Sequence, residues 1–226
     1  MNKNTINLRN IYFLNAAVIV AMFIIAGFVW FQIPAGTEVC THWNAEGICD
    51  DYGSKFTGIM LLPLISTAVL GLLPLTLKID PRRQNLLQSG RAITSVFTII
   101  ALFFLVIHIV IMVNLLNVDA NFVWFVPSMV GVLFIVIGNY LGKIRSNFFV
   151  GIRTPWTLSS ELSWNKTHRL GGKLFVAQGL LMIISTFLFP GIVWVYVLIG
   201  SIFALVIGLF VYSYVVWKND PDVTAV

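Results

Sequence analysis

Residues 92–116 read AITSVFTIIALFFLVIHIVIMVNLL, 25 positions without an Asp, Glu, Lys or Arg and with a single imidazole, His108. A bilayer core about 30 Å thick is crossed by roughly 20 apolar helical residues, so this stretch is long enough to span one. Five more segments share the property: 11–33, 56–77, 122–141, 174–190 and 192–217. The composition agrees, with 58% apolar and 10% charged residues where soluble domains have about 45–50% and about 25%. A water-soluble globule is excluded. The predicted fold is all-α, a polytopic bundle of six transmembrane helices forming a single integral membrane domain over residues 1–226.

The first segment exceeds the roughly 7–15 apolar residues of a secretion signal, and no small-x-small cleavage site comes after it, so it is read as a retained span. The last two segments meet at Pro190-Gly191. One helix from 174 to 217 would be about 66 Å long, so the chain is expected to fold back there. Pro63, Pro74 and Pro127 lack the amide that closes a helical bond and are candidate kinks.

With six spans, both termini share one side with the connections 78–91 and 142–173. That side holds Lys3, Arg9, Lys78, Arg82, Arg83, Arg91, Lys143, Arg145, Arg153, Lys166, Arg169, Lys173 and Lys218, every Lys and Arg except Lys55. Basic residues in short loops resist translocation, so this side and both termini are expected to be cytoplasmic, in a multi-pass protein of the bacterial cell membrane. The opposite loops carry Glu38, Glu46, Asp50, Asp51 and Asp119 against Lys55. The net charge of +5 is thereby explained by topology and by attraction to membrane lipids rather than by direct nucleic-acid binding.

Two connections are long enough to carry specific chemistry. The outer loop, 34–55, is rich in Pro, Asn and Gly and suits turns. It contains Cys40 and Cys49, the two cysteines of the chain, and three readings apply: a disulfide, two free thiols, or a metal site with His42 and Asp50. The spacing matches no zinc motif, and no metal is assigned. His42, Asn44, Asp50 and Lys55 are the candidate outer binding residues, where Trp43 suits an interface; a self-satisfied turn is the alternative.

In the inner loop, 138–173, Pro155 breaks the chain, Thr157 or Ser159 can cap a short helix, and Gly171-Gly172 can end it. Glu161, Trp164 and His168 then fall on one face. That face could grip a cytoplasmic partner, or lie on the bilayer with Trp156 and Trp164 at headgroup depth while Lys166, Arg169 and Lys173 pair with phosphates. Asn165-Lys166-Thr167 matches a glycosylation acceptor but falls on the cytoplasmic side. Inside the spans, His108 and Asn114 are candidate functional polar groups, with helix-helix hydrogen bonding as the alternative. Gly138 and Gly142 form a G-x-x-x-G pair suited to close helix packing.

Thr41-His42-Trp43-Asn44, Gly47 and Tyr52-Gly53-Ser54-Lys55, together with Gly138-Asn139-Tyr140, Asn147, the run from Gly151 to Leu158, Trp164 and the run from Thr167 to Gly172, resemble the signatures of the SdpI family of bacterial membrane proteins. The resemblance implies immunity to a secreted peptide toxin. It also implies signal transduction, in which the membrane protein holds a cytoplasmic winged-helix autorepressor at the membrane once toxin is present. On that reading the outer loop senses, and the inner loop recruits through Asn139, Arg153, Thr154, Trp156, Trp164, His168 and Arg169. Cys40 and Cys49 depart from the family pattern and bear on which ligand the outer loop takes.

Two other readings are weighed. A transporter or lipid-handling protein would use His108, Asn114 and a cleft opened by the prolines, yet no Asp or Glu lies inside a span. An interfacial enzyme would use His168 and Glu161, but H-E-x-x-H, G-x-S-x-G and Walker motifs are all missing from the sequence. No catalytic residue and no cofactor is therefore assigned.

Overall fold

The computed structural model describes residues 8–116, 122–189 and 192–224. Lys3, Asp119 and the Pro190-Gly191 turn lie outside the described residues. Among the described residues, six helices are long and apolar enough to cross a membrane: α1 (Leu8–Gln32), α2 (Lys55–Ile79), α4 (Gly90–Leu115), α5 (Phe122–Leu141), α7 (Glu161–Leu188) and α8 (Val193–Lys218). The chain is a multi-pass membrane protein. Shorter pieces join them: strands β1 (Glu38–Trp43) and β2 (Cys49–Ser54), and helices α3 (Arg83–Gln88), α6 (Pro155–Ser159) and α9 (Pro221–Thr224).

The spanning helices pack as two groups of three. α1, α2 and α4 contact one another, α7 lies between α5 and α8, and α4 against α5 joins the groups. Large apolar side chains such as Phe13 (77% exposed) and Phe31 (89% exposed) point away from the bundle, as expected where lipid is the solvent and backbone polar groups are satisfied within helices. α2 continues past Pro63 and Pro74, and α5 past Pro127.

α5 and α7 form the most extensive helix pair, and glycines make it possible. A methyl added at Gly138 would strike the carbonyl of Gly172, and one at Gly172 would strike the carbonyl of Gly138. Gly131 and Gly179 repeat this reciprocal contact about two turns away. Small residues let helix backbones approach closely in lipid, where packing rather than hydrophobic burial drives association. Phe134 and Phe175 stack alongside at 5.1 Å.

This use of glycine corrects the expected helix boundary. A short helix does start at Pro155, but it ends at Ser159; Glu161, Trp164 and His168 belong to α7, which runs unbroken through Gly171-Gly172 to Leu188. The paired glycines face neighbours instead of ending the helix: Gly172 meets Gly138, and Gly171 meets the side chain of Ile152. The caps also differ. Thr154 caps α6, with Thr157 as its reciprocal partner, and Ser160 caps α7. With 28 residues, α7 is about 42 Å long and exceeds an apolar core of about 30 Å.

Candidate functional site

The bundle has two non-helical ends. At one end β1 and β2 form an antiparallel hairpin with a register irregularity around His42. Its turn is built by Asn44, whose Oδ1 accepts from the amides of Glu46 (3.0 Å) and Ile48 (2.9 Å). Gly47 supplies the positive φ of 75°, which costs glycine little because it has no Cβ. Cys40 and Cys49 form a disulfide, so neither thiolate is free to bind a metal. His42 Nδ1 meets Asp50 Oδ1 at 2.6 Å on the exposed surface. Lys55 donates to the carbonyl of Ile33 and lies 4.4 Å over the Trp30 ring, tying the start of α2 to the end of α1. Val39 is buried over Gly58 of α2.

Between this hairpin and the ends of α5 and α8 lies a recess of about 230 Å³, lined by Thr41, His42, Trp43, Asn44, Pro127 and Trp194 among others. The indole N–H of Trp194 is buried with no partner among the described residues. Pro127 was legible in the sequence only as a candidate kink and Trp194 not at all, because only the tertiary fold brings them to the hairpin.

The opposite, basic end is closed by the segment 142–160, held down from three sides. From beneath, Trp164 Nε1 donates to Ile144 O (2.8 Å), and His168 Nε2 accepts from the Ile152 amide (2.9 Å). His168 Nδ1 lies 2.8 Å from Trp164 O. A carbonyl can only accept and an amide N–H can only donate, so the imidazole is neutral with its proton on Nδ1. The two rings stack with centroids 4.0 Å apart. From within, buried Asn147 accepts from the amides of Phe149 and Val150 and donates to the carbonyls of Arg145 and Val150.

From the side, the α2–α4 connection clamps the segment. Asp80 accepts from the amides of Arg82 (2.6 Å) and Phe148 (3.0 Å). Arg82 donates to Ser146 Oγ and Leu158 O, and Asn85 donates to Ser146 O. The third side is α8 together with the short stretch beyond its C-terminus: Thr154 Oγ1 meets Ser213 Oγ at 3.0 Å, Ser160 donates to Asp220, and Trp156 packs edge-on against Phe210 (4.7 Å).

The candidate inner residues therefore separate by location. Trp164 (0% exposed), His168 (1%) and Thr154 (7%) are interior and position the loop; they do not present the exposed gripping face expected for Trp164 and His168. Trp164 is likewise not an interfacial anchor facing lipid headgroups, because its indole is buried and bonded inside the protein. Arg153, Arg169 and Asn139 are exposed. Arg153 donates to Phe148 O (2.7 Å) and Asn139 to Ile135 O (2.8 Å). Asp80, Asn85, Ser146 and Asp220 escaped notice in the sequence, although a lone acid next to Pro81-Arg82-Arg83, and another next to Pro221, were signals of turn-capping carboxylates. Within the bundle, His108 is fully buried and donates from Nε2 to Met22 O (3.1 Å), linking α4 to α1, while Asn114 is half-buried near the hairpin end of α4.

Both ends coincide with known families. Residues 17–67, which include the hairpin, match a domain of unknown function, DUF1648. Residues 143–213, which include the clamped segment and most of α7 and α8, match the SdpI/YfhL protein family. The chain is 28% identical to the immunity protein SdpI of Bacillus subtilis (strain 168) over 93 residues, 41% of this chain and 45% of that relative. The match thus spans about half the length of the curated relative. No solved structure matches. Residues 143–213 thus carry the SdpI/YfhL family match, and the chain is a distant homologue of that immunity protein.

Proposed function

We propose that this protein protects its cell from a secreted peptide toxin, with the hairpin end outside, the basic end and both termini in the cytoplasm, and binding rather than catalysis as its action. The distribution of Lys and Arg supports the orientation, and the similarity to an immunity protein supports the task. The observation that carries the reading is the path of α2. Its first residue, Lys55, comes directly after β2, and its C-cap, Asp80, holds the amide of Phe148 in the clamped segment. One helix thus joins the sensing end to the closing clamp.

On this reading the toxin occupies the recess under the hairpin, contacting His42, Trp43 and Trp194, with Asp50 and Lys55 setting the hairpin's charge and seat. Binding that favours one hairpin position moves α2 and alters the exposed basic surface around Arg145 and Arg153. A ligand shifts such an equilibrium only by its difference in affinity for the two arrangements. That surface is where a cytoplasmic winged-helix repressor would be held. The test is survival of a sensitive bacterium expressing the protein, with membrane insertion verified, when challenged with the cognate peptide. Protection that is lost in Trp194→Ala at unchanged expression supports the reading; equal killing with and without the protein refutes it.

A further inference from the structure

At the basic end, α5 and α7 carry a second cavity, of about 370 Å³, that neither the toxin recess nor the clamp uses. Three cations line it: Lys143 just past α5, and Arg169 and Lys173 on α7. All three are exposed, and among the described residues none has a carboxylate at ion-pair distance. The acids at this end are otherwise engaged or distant, Asp222 lying on α9 beyond the end of α8. Asp80 and Asp220 accept hydrogen bonds within the clamp, and Glu161 lies two helical turns before Arg169. The Lys143 ammonium sits 4.7 Å over the ring of Tyr140, which keeps it on the bundle.

Glycines form part of its wall, where the two helices come into contact. Gly138 and Gly172 touch through their backbones, and Gly142 leaves ordinary contact distance to the Arg169 backbone. Asn139 also lines it; one of its amide hydrogens goes to Ile135 O, and the other has no acceptor among the described residues. The depth is informative. Lys143 comes just after the last turn of α5, and Lys173 precedes the charge-free stretch of α7 that starts at 174. The cations therefore stand at the border of the apolar core, the level of phospholipid phosphates.

We propose that this cavity binds the phosphate headgroup of an anionic phospholipid from the surrounding leaflet. Basic pockets between transmembrane helices are suited to such headgroups, because each Lys or Arg near the surface favours an anionic lipid about fivefold. The site is independent of toxin binding, so it can stand or fall separately from the immunity reading.

The experiment is native mass spectrometry of the full-length protein, delipidated and re-exposed to an equimolar mixture of phosphatidylglycerol and phosphatidylcholine. Wild type is expected to retain phosphatidylglycerol in preference. Arg169→Gln with Lys173→Gln is expected to lower that retention by about tenfold or more. Lys166→Gln with Lys218→Gln, an equal change in charge at exposed positions outside the cavity, is expected to change it by less than about twofold. Gly142→Val, which adds bulk to the cavity wall against Arg169 without altering charge, should act like the first pair. Equal losses in both charge pairs would overturn the proposal in favour of diffuse attraction. Inorganic phosphate displacing all bound phosphatidylglycerol would overturn it in favour of a free-anion site.

Discussion

Gly151 offers the sharpest test of the clamped segment. Its φ is +125°, a region that residues with a Cβ enter only at a cost of about 1–3 kcal/mol. A methyl there would also strike His168 Nε2 and come within 3.3 Å of the Trp164 ring. His168 is pinned by its stack on Trp164 and its bond to Trp164 O, so relief requires giving up the Ile152 N–H contact. A buried amide left without a partner adds about 1–3 kcal/mol. Gly151→Ala should therefore destabilise by about 2–6 kcal/mol. For a chain of this size about 2–4 °C accompanies each kcal/mol, so the detergent-solubilised protein, followed by tryptophan fluorescence, should melt at least about 4 °C lower. Hydrogen exchange should quicken at Ile152. Gly27→Ala is the control, since a methyl there meets nothing within 4 Å and alanine is favoured over glycine in a helix by about 0.5–1 kcal/mol. If Gly151→Ala melts with the wild type while Gly27→Ala behaves as stated, the account of the segment as a tightly keyed plug is wrong.

Three further outcomes are expected. Asp80→Ala strips the acceptor from the Phe148 amide; the loss should be about 1–3 kcal/mol, with faster hydrogen exchange at 146–149 and no change at the hairpin, and unchanged exchange at 146–149 would refute the clamp. Cys40→Ser with Cys49→Ser removes a short covalent loop worth about 2–3 kcal/mol; hairpin amides should lose protection while α5 and α7 keep theirs, whereas a collapse of the whole bundle would show that the hairpin's contribution has been misjudged. Gly138→Leu should cost about 1–3 kcal/mol or more by overpacking, because the Gly172 carbonyl is backbone and cannot step aside; Gly71→Leu, in open space, should be nearly neutral, and similar melting of the two variants would refute the close α5–α7 contact.

The parts of this protein that were readable from sequence are those set by local chemistry. Segment length against bilayer thickness, and the absence of charge, marked six spans because a lipid-exposed backbone must satisfy itself within each helix. The lopsided placement of Lys and Arg separated the loops into two sets, and the Pro, Asn and Gly content of 34–55 marked turns, though not the hairpin built there. Cys40 and Cys49 were left with three readings, since spacing does not say whether two sulfurs face one another; the folded hairpin, which brings their Cα atoms to 5.9 Å, decided for the disulfide.

What local chemistry left open is the partner of each side chain. Gly171-Gly172 reads equally as a helix stop and as a contact surface, and the approach of Gly138 from α5 decides between them. Trp164 and His168 look like a gripping face by periodicity, yet the loop 142–160 folds over them and turns them into its anchors. Asp80, Asn147 and Trp194 carried no strong motif, and the lipid cavity depends on Lys143 meeting Arg169 and Lys173 across two elements distant in the chain. The sequence alone determined which segments enter the membrane, because transfer free energy is summed residue by residue along a helix. Only the tertiary structure decided which groups are buried, paired or left facing a cavity, because those depend on residues far apart in the chain meeting at a distance of a few ångströms.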